Sequence, residues 1–393
     1  MTYYLFGYWH DKRWTKFVGA SVKIWDLAIN LSKLGHQVIL FLPKYNFNHT
    51  DLPFKVVQIP LINAPLIRFF SFNLLLIIFL IYYYFRKRPE IIYVRRMNSI
   101  VPALFAKIAK AVLFYEVNDD PYDKKNQEGA CSIFRLRFFI TRWQDEINLR
   151  LCDKAFIITQ ALLEKVLKNL SSLDQKKFEI APSGANTSLF LPLEKNRCRL
   201  ELNLAVDSKI IGFAGTLLEH QGIDTLITAA PGILKEVPST KFLIIGEGPM
   251  KRRWVDAINE CGLNHQFIFP GQVPYEEIPI WIGATDICLA PFLNSAGLRS
   301  PVKIFDYMAC GRAVVASKIK GTTDLFENSE AISLVEAENP QYLARTIVEL
   351  LKNGNKTMKM GAKGRQFIMN SYDRNNTAIK VSLAAQSLFS SKV

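Results

Sequence analysis

Short apolar segments alternate with longer helical segments along the whole chain, and this alternation constrains the fold more than any other feature of the sequence. Residues 3–8 are apolar, a helical segment then runs to Leu34, and Gly35 separates it from a second apolar segment at residues 36–42. A strand, a helix and a strand in this order form a right-handed crossover within a parallel sheet. Further strands of the first half are predicted at residues 55–59, 90–94, 111–117, 154–159 and 177–181. The first half therefore predicts an α/β domain.

The second half of the chain repeats this alternation. Its strands are predicted at residues 209–213, 241–245, 266–269 and 285–289, from Ala313, and at 331–335. A chain of 393 residues is too long for one hydrophobic core, and a hydrophobic content of 49% supplies two large interiors. We therefore predict two domains.

Residues 291–317, PFLNSAGLRSPVKIFDYMACGRAVVAS, predict a strand end, a polar loop, a short helix and another strand. Ser300 is the predicted helix cap, Pro301 the predicted first helical residue, and Gly311 the left-handed residue that ends the helix. The start of a helix carries free backbone N–H groups and a partial positive charge, which suit an anion.

Charged side chains flank this predicted helix start. Arg299 and Lys303 add positive charge, which favours a phosphate or diphosphate, and Asp306 could accept hydrogen bonds from the hydroxyls of an attached sugar. The alternative is an ordinary capped helix without a ligand.

The net charge is +14, which favours anionic substrates, acidic lipid surfaces or nucleic acid. No nucleic-acid-binding motif accompanies the charge. The six cysteines form no CxxC pair and have no metal-binding spacing with the five histidines, which predicts reduced thiols and no metal site. The first charged residues follow the initial apolar segment, which is the reverse of a secretory signal and predicts a cytoplasmic protein.

The segment FFSFNLLLIIFLIYYYF at residues 69–85 lacks charged residues and is flanked by Arg68 and by the basic residues 86–88. Its 17 residues are at the short limit for a transmembrane helix, and one crossing would place strands of one sheet on opposite sides of the bilayer. We predict a helix that packs on the sheet, with an outer face that includes Tyr82 to Tyr84 and rests in a membrane interface. A fully buried core helix is the alternative. The basic and aromatic residues 134–143 support the membrane interpretation.

Residues 300–317, SPVKIFDYMACGRAVVAS, resemble the motif of the retaining, nucleotide-sugar-dependent glycosyltransferases of family 4. The resemblance extends weakly over residues before 180 and strongly over 210–334. Residues 182–192, PSGANTSLFLP, resemble the family's hinge between domains, which implies a boundary between Pro182 and about Lys195, with a bend at Gly184. It implies the GT-B fold, in which two Rossmann-like domains face a cleft. The first, residues 1–182, would bind the acceptor, with a helix at about 375–393 packing back on it, and the second, residues 195–370, would bind the nucleotide sugar.

The family's other donor motifs have counterparts in the second half. Residues 214–229 resemble the glycine-rich donor loop, where the family carries an arginine after Gly215 and a lysine before the next glycine; this chain has Thr216 and Gln221 at these positions. Residues 246–249, GEGP, resemble a second donor loop with Gly246 and Glu247, and differ from the GxGxxG fingerprint of nicotinamide cofactors. The backbone at Val273 would contact the base. Together with Ser300, Pro301 and Val302, these residues form the donor site that the resemblance implies.

In the first half, the resemblance places Gly19 in a glycine loop that faces the cleft, and implies that Gly19 belongs to the donor-binding residues. It also places Asn118 where the family has a histidine near the reacting sugar. An amide can hydrogen-bond a hydroxyl but cannot act as a general base. The catalytic residues expected from the motif and the resemblance are Lys303, Arg299, Asp306 and Asn118.

These features predict a glycosyltransferase that moves a sugar from a nucleoside diphosphate to an acceptor hydroxyl, without metal or cofactor. The basic, aromatic segments predict a glycan or lipid-linked acceptor and a peripheral position on the inner face of the cell membrane, as in surface polysaccharide assembly. Two alternatives are a non-catalytic relative that binds nucleotide sugars and a sugar-nucleotide epimerase.

Overall fold

The computed structural model describes residues 1–7, 19–44, 52–62, 64, 67–97, 99–122, 132–296 and 301–390. Arg299 and Ser300, which the sequence places in the site, lie outside these ranges. The chain divides into two compact units. The first comprises Met1–Pro182 together with Arg374–Val393, and the second comprises Ser183–Asp373.

A seven-stranded parallel sheet forms the centre of the first unit. In sequence order its strands are β1 (Thr2–Phe6), β2 (Gln37–Pro43), β3 (Lys55–Ile59), β4 (Ile91–Arg95), β5 (Val112–Val117), β6 (Lys154–Ile157) and β7 (Phe178–Ile180). The spatial order is β3-β2-β1-β4-β5-β6-β7, so the direction of winding changes between β1 and β4. Ligands of open parallel sheets bind at the carboxyl ends of the strands next to such a change.

Helices cover both faces of this sheet. They are α1 (Gly19–Lys33), α2 (Ile67–Arg86), α3 (Val101–Ala109), α4 (Ser132–Leu151), α5 (Gln160–Asn169) and, after the second unit, α14 (Arg374–Ser390). Alternate residues of β1 point to opposite faces. Tyr4 and Phe6 pack in a core with residues of α2, α3 and α5, whereas Tyr3 and Leu5 pack in a core with residues of α1 and α14.

The apolar segment at residues 69–85 lies within α2, which packs on the sheet as predicted. It buries one stripe, Phe72, Leu76, Leu80 and Tyr83, and leaves most of its other apolar side chains exposed, so the alternative of a fully buried core helix is wrong. The predicted outer face also needs a correction, because Tyr83 faces the core and only Tyr82 of the three tyrosines is exposed. Within the described residues, α2 is the one helix that is long and apolar enough to cross a membrane.

The second unit is built on a six-stranded parallel sheet. Its strands are β8 (Lys209–Ala214), β9 (Thr240–Ile245), β10 (Phe267–Gly271), β11 (Ile287–Ala290), β12 (Ala313–Lys318) and β13 (Ser333–Glu336). Their spatial order is β10-β9-β8-β11-β12-β13, with the change of direction between β8 and β11. The carboxyl ends of these two central strands therefore mark the expected ligand-binding edge of this sheet.

The helices of the second unit again lie on both faces. They are α6 (Lys195–Glu201), α7 (Ile223–Glu236), α8 (Lys251–Glu260), α9 (Ile278–Gly283), α10 (Val302–Ala309), α11 (Lys320–Phe326), α12 (Pro340–Lys352) and α13 (Gly354–Ser371). One core joins β8 to residues of α7, α8 and α12, and a second joins it to residues of α10 and α13. The predicted α/β fold with two Rossmann-like sheets is confirmed.

Candidate functional site

Loops from three strands meet at the carboxyl edge of the sheet in the second unit. Gly215 follows β8 and donates its backbone N–H to Ile245 at 2.9 Å, while Gly246 follows β9 and donates to the carbonyl of Gly271 at 2.8 Å. Gly246 has a φ of 133°, and a Cβ there would lie 2.0 Å from the carbonyl oxygen of Gly215. Only glycine fits so close an approach. Two of the predicted donor-site glycines, Gly215 and Gly246, are thus adjacent.

Helix α10 begins one residue later than predicted. Pro301 has φ −81° and ψ 66°, which is not helical, so it occupies the cap position and Val302 is the first helical residue. The prediction that Pro301 is the first helical residue is therefore wrong, and the cap predicted at Ser300 lies outside the described residues. The other end is confirmed, since Gly311 has a φ of 67°.

Lys303 lies in the first turn of α10 and extends toward the end of β8. Its ammonium donates a hydrogen bond to Oε1 of Gln221 and lies 3.7 Å from the ring centroid of Phe213 and 5.4 Å from that of Phe292. A Cβ on Gly215 would lie 2.9 Å from Nζ. The absence of a side chain at Gly215 therefore gives the ammonium its position.

Burial lowers the pKa of Lys303 well below its ordinary value. No carboxylate forms an ion pair with Lys303 within the described part of the chain. An amide oxygen and aromatic faces stabilise an ammonium only partly, because a desolvated charge needs an opposite charge for full compensation. An anion at this position would supply that charge.

Gln221 is buried in a short turn, Glu219–Gln221, that precedes α7. Its amide nitrogen lies 3.1 Å from Nε2 of His220, so both ends of the amide have polar neighbours. Gly222 follows with a φ of 70°, and a Cβ there would lie 1.9 Å from the carbonyl oxygen of Pro291. The turn is therefore held against the loop after β11, and Gln221 is fixed beside Lys303.

Three other predicted donor residues along the chain are Thr216, Glu247 and Val273. Thr216 is exposed directly after Gly215. Glu247 forms an ion pair with Lys251 at 2.5 Å, and its carboxylate approaches Gly271 at the end of β10. Val273, two residues beyond, is half-buried against the core. Their predicted contacts with a nucleotide stay predictions.

Tyr307, which the sequence analysis missed, fixes α10 to β8. Its hydroxyl accepts the backbone N–H of Ala214 at 2.6 Å, and the side chain is fully buried. Tyr307 lies one turn after Lys303 on the same helix, so this bond sets the distance between Lys303 and the loop at Gly215. The sequence feature that could have identified it is a tyrosine on the apolar face of a predicted helix, because a buried hydroxyl needs a hydrogen-bond partner. Asp306 lies beside it and is half-buried.

In the first unit, Asn118 directly follows β5. In the amide orientation that satisfies both groups, its Oδ1 accepts from Nε of Arg95 at 2.9 Å and from Nη2 at 3.1 Å. Asn118 is half-buried, and Gly19, the other predicted residue of this unit, is the first residue of α1. The structure therefore places Asn118 at the carboxyl edge of the sheet.

Arg95, the hydrogen-bond partner of Asn118, belongs to a buried ionic network that the sequence analysis missed. The carboxylate of Glu116 lies 2.7 Å from Nζ of Lys23 and accepts from the hydroxyl of Tyr93 at 2.7 Å, while Nε of Arg95 lies 3.7 Å from it. Burial raises the pKa of Glu116, but the charges of Lys23 and Arg95 outweigh burial, so the pKa lies below its ordinary value. These residues come from α1, β4 and β5, and sequence spacing gave no sign that they meet.

The described residues contain no group of three or more histidine, cysteine, aspartate or glutamate side chains that could hold a metal ion. The chemistry that they offer is electrostatic. The second unit presents an ammonium and backbone groups at a strand edge, and the first presents an amide that a buried network orients.

Comparisons with known proteins agree with this arrangement. Residues 18–189 match the family model described as Glycosyltransferase Family 4, and residues 194–367 match the model described as Glycosyl transferases group 1. A GDP-mannose-dependent alpha-(1-6)-phosphatidylinositol monomannoside mannosyltransferase of Mycobacterium tuberculosis is 25% identical over 195 residues, which are 48% of this chain and 51% of that enzyme. The match thus spans about half the length of this relative.

Two solved structures share the fold along nearly the whole chain. A sucrose-phosphate synthase from Thermosynechococcus elongatus has a TM-score of 0.77 at 18% identity, with 99% of each chain covered. Anabaena HepE in complex with UDP-glucose has a TM-score of 0.74 at 17% identity, covering 98% of this chain and all of that one (100%). With two family models that together cover most of the sequence, and with this fold, the chain belongs to the family 4 glycosyltransferases of the GT-B fold.

Proposed function

We propose that this protein transfers a sugar from a nucleoside diphosphate to an acceptor hydroxyl, with the donor held by the second unit and the acceptor by the first. The observation that carries the proposal is the ammonium of Lys303, which is desolvated beside Gly215 and Gln221 and has no ion pair within the described residues. A diphosphate is the anion that a family 4 enzyme would place there. Charge-assisted hydrogen bonds from Lys303 would hold it about twice as strongly as neutral ones.

The same ammonium would assist bond cleavage. As the bond between the anomeric carbon and the diphosphate oxygen breaks, negative charge grows on that oxygen and positive charge grows on the sugar ring. A fixed cation stabilises the first of these charges without reorganisation. Because the loop glycines and Tyr307 fix Lys303 before a ligand arrives, it is preorganised for this role.

We infer retention of the anomeric configuration. The acceptor oxygen would bond to the anomeric carbon on the face that the diphosphate leaves, and the acceptor proton would pass to the departing phosphate oxygen. This route needs no protein base, which suits Asn118, an amide that cannot take up a proton. Asn118 would instead orient a sugar hydroxyl through its N–H₂ group, since its oxygen is directed to Arg95. Neither a metal nor a cofactor takes part in this proposal.

For the acceptor, we propose a lipid-linked glycan, as an intermediate of surface polysaccharide assembly on the cytoplasmic face of the cell membrane. Two observations support this choice. The mycobacterial relative is named for a phosphatidylinositol mannoside acceptor, and the helices α2, α3 and α4 of the first unit carry exposed apolar side chains near basic residues. Nucleic acid is not proposed as a partner, because no nucleic-acid-binding motif accompanies the positive charge of the sequence.

A product assay tests the proposal. The protein is incubated with UDP- and GDP-sugars in the presence and absence of a lipid-linked glycan acceptor, and free nucleoside diphosphate and the new linkage are followed by NMR. We expect acceptor-dependent release of the diphosphate and an anomeric configuration equal to that of the donor. An inverted product would refute retention, and binding without release would favour a non-catalytic relative. Interconversion of nucleotide sugars without acceptor would identify an epimerase.

A further inference from the structure

Helix α2 is apolar on two opposite faces. Its buried face packs on the sheet through Phe72, Leu76, Leu80 and Tyr83. At 3.6 residues per turn, seven other apolar residues lie along the opposite face, and we call them the outer stripe: Ile67, Phe70, Leu74, Ile77, Ile78, Ile81 and Phe85. Each of them is between 42% and 82% exposed. An apolar surface of this length on a helix that already has its core contacts marks an interaction site.

Neighbouring helices extend this surface. Helix α3 contacts α2, with the ring of Phe105 5.9 Å from that of Tyr84, and leaves Leu104 and Ile108 exposed. Helix α4 contacts α3 in turn. Its side chains Leu136, Phe139, Ile140 and Trp143 are exposed. The apolar surface therefore spans three adjacent helices of the first unit.

The charges on α2 and α3 have one sign, whereas α4 carries Glu146 in an ion pair with Arg142. Neither α2 nor α3 contains an acidic residue. Arg68 lies at the start of α2 and Arg86, Lys87 and Arg88 at its end, and Lys107 and Lys110 are exposed beside Ile108 on α3. The guanidinium of Arg86 lies 4.6 Å from the ring centroid of Tyr82. Aromatic rings with basic heads at the edge of an apolar face suit the headgroup region of an anionic bilayer.

We propose that the surface of α2, α3 and α4 docks on an anionic lipid bilayer, with α2 lying in the plane of the interface and the outer stripe inserted among the acyl chains. The outer stripe runs along the whole helix of 20 residues, about 30 Å, as an in-plane helix requires. A spanning helix would have to withdraw Phe72 and Leu76 from the core and separate β3 from β4. A second copy of the chain would bring the same positive charges together. Docking would bring the first unit to the bilayer that holds the proposed lipid-linked acceptor, and in this respect the inference rests on the proposed function.

Vesicle sedimentation tests the proposal. The full chain is mixed with vesicles of phosphatidylcholine alone, or of equal parts phosphatidylcholine and phosphatidylglycerol, at low and high salt. We expect binding to the anionic vesicles that weakens with salt. The double variant Leu74→Asp/Ile78→Asp should lower the affinity on the order of 100-fold, since two apolar side chains no longer insert. Arg86→Glu should lower it about fivefold or more.

The matched control is Leu383→Asp. Leu383 is 60% exposed, close to the 64% of Leu74, but it lies on α14, which packs on the other face of the sheet. The control should bind vesicles like the unchanged chain. If it loses binding as the double variant does, or if the unchanged chain does not bind anionic vesicles at low salt, the proposal is overturned.

Two further measurements are made on the unchanged protein, and variants serve only to assign the signal. Trp143 is 49% exposed on this surface, and brominated lipid should quench its fluorescence in the unchanged protein, with the difference from Trp143→Phe isolating its signal. A lack of quenching in vesicle-bound protein would refute the docking. Sedimentation velocity without lipid should show a monomer, and a dimer that Leu74→Asp dissociates would assign the surface to a second copy. Because vesicle binding needs no nucleotide and nucleotide binding needs no lipid, this inference and the proposed function can fail separately.

Discussion

Gln221→Lys restores the lysine that the family motif carries at this position, and its effect follows from the contact between Gln221 and Lys303. The amide oxygen of Gln221 accepts a hydrogen bond from the Lys303 ammonium, and Gln221 is buried. The substitution would replace this acceptor with a second ammonium. Two unit charges about 4 Å apart repel by about 4 kcal/mol at the effective dielectric constant typical of proteins.

Without ligand, the variant should therefore be less stable than the unchanged protein. A loss of about 2–4 kcal/mol is expected once the new lysine has shifted its position or its pKa, which corresponds to several degrees in the Tm. A nucleoside diphosphate between the two ammonium groups would remove the repulsion. The increase in Tm on adding UDP or GDP should then be larger for the variant than for the unchanged protein, since ligand stabilisation grows with affinity.

Differential scanning fluorimetry with and without UDP or GDP measures both effects. Gln221→Met is the matched control, because it removes the acceptor and adds no charge. It should also lower the Tm of the ligand-free protein, but its increase with nucleotide should be no larger than that of the unchanged protein. Equal nucleotide-induced increases for Gln221→Lys and the unchanged protein would refute the placement of the diphosphate beside Lys303.

Three further predictions concern the same site. Lys303→Ala should lower turnover by about two orders of magnitude, as the loss of one preorganised donor does, and near-normal diphosphate release in a steady-state assay would remove Lys303 from the mechanism. Lys303→Met should raise the free energy of unfolding of the ligand-free protein at neutral pH, because burial lowers the pKa of this lysine and disfavours its charged form in the folded state. Between the folded and the unfolded pKa of Lys303, the unfolded chain binds more protons than the folded one, so the stability gain of Lys303→Met should shrink as the pH rises toward about 10.4. Urea denaturation at several pH values measures this gain. A loss of stability in Lys303→Met at neutral pH would contradict the reasoning. Gly246→Ala should abolish nucleotide-induced stabilisation, since the added Cβ would lie 2.0 Å from the carbonyl oxygen of Gly215. The control Gly232→Ala should keep this stabilisation, because the nearest atom to its added Cβ is 3.7 Å away. An unaltered response in Gly246→Ala would show that the site does not need the close approach of the two glycine loops.

The fold could be predicted from the sequence because it depends on local patterns. Alternating apolar and helical segments specify parallel sheets, and the glycine after α10 specifies its end. The start of α10 differed by one residue, since the proline ring restricts φ of Pro301 but not its ψ, which at 66° is not helical. The outer face of α2 was predicted, but the inward direction of Tyr83 follows from helix phase relative to the core, which a run of three tyrosines does not reveal.

The electrostatics of the site could not be predicted, because they depend on residues far apart in the sequence. The motif identified Lys303 as a cation. The uncharged groups that surround its ammonium come from Phe213 and Gln221, which lie more than 80 positions earlier in the sequence. The link of Asn118 to Glu116 through Arg95 likewise depends on strand order. Charge compensation is a property of the assembled fold, and only the structure gives it.

The most direct test of the central claim is calorimetric titration of UDP and GDP into the unchanged protein, Lys303→Met and the control Lys235→Met. Lys235 is exposed near the end of α7 and lies outside the proposed site. We expect one of the nucleotides to bind. Lys303→Met should weaken this binding by about 10- to 150-fold, the value of a hydrogen bond to a charged group, and Lys235→Met should leave it unchanged. Equal affinities for all three proteins would contradict the claim that Lys303 holds the diphosphate.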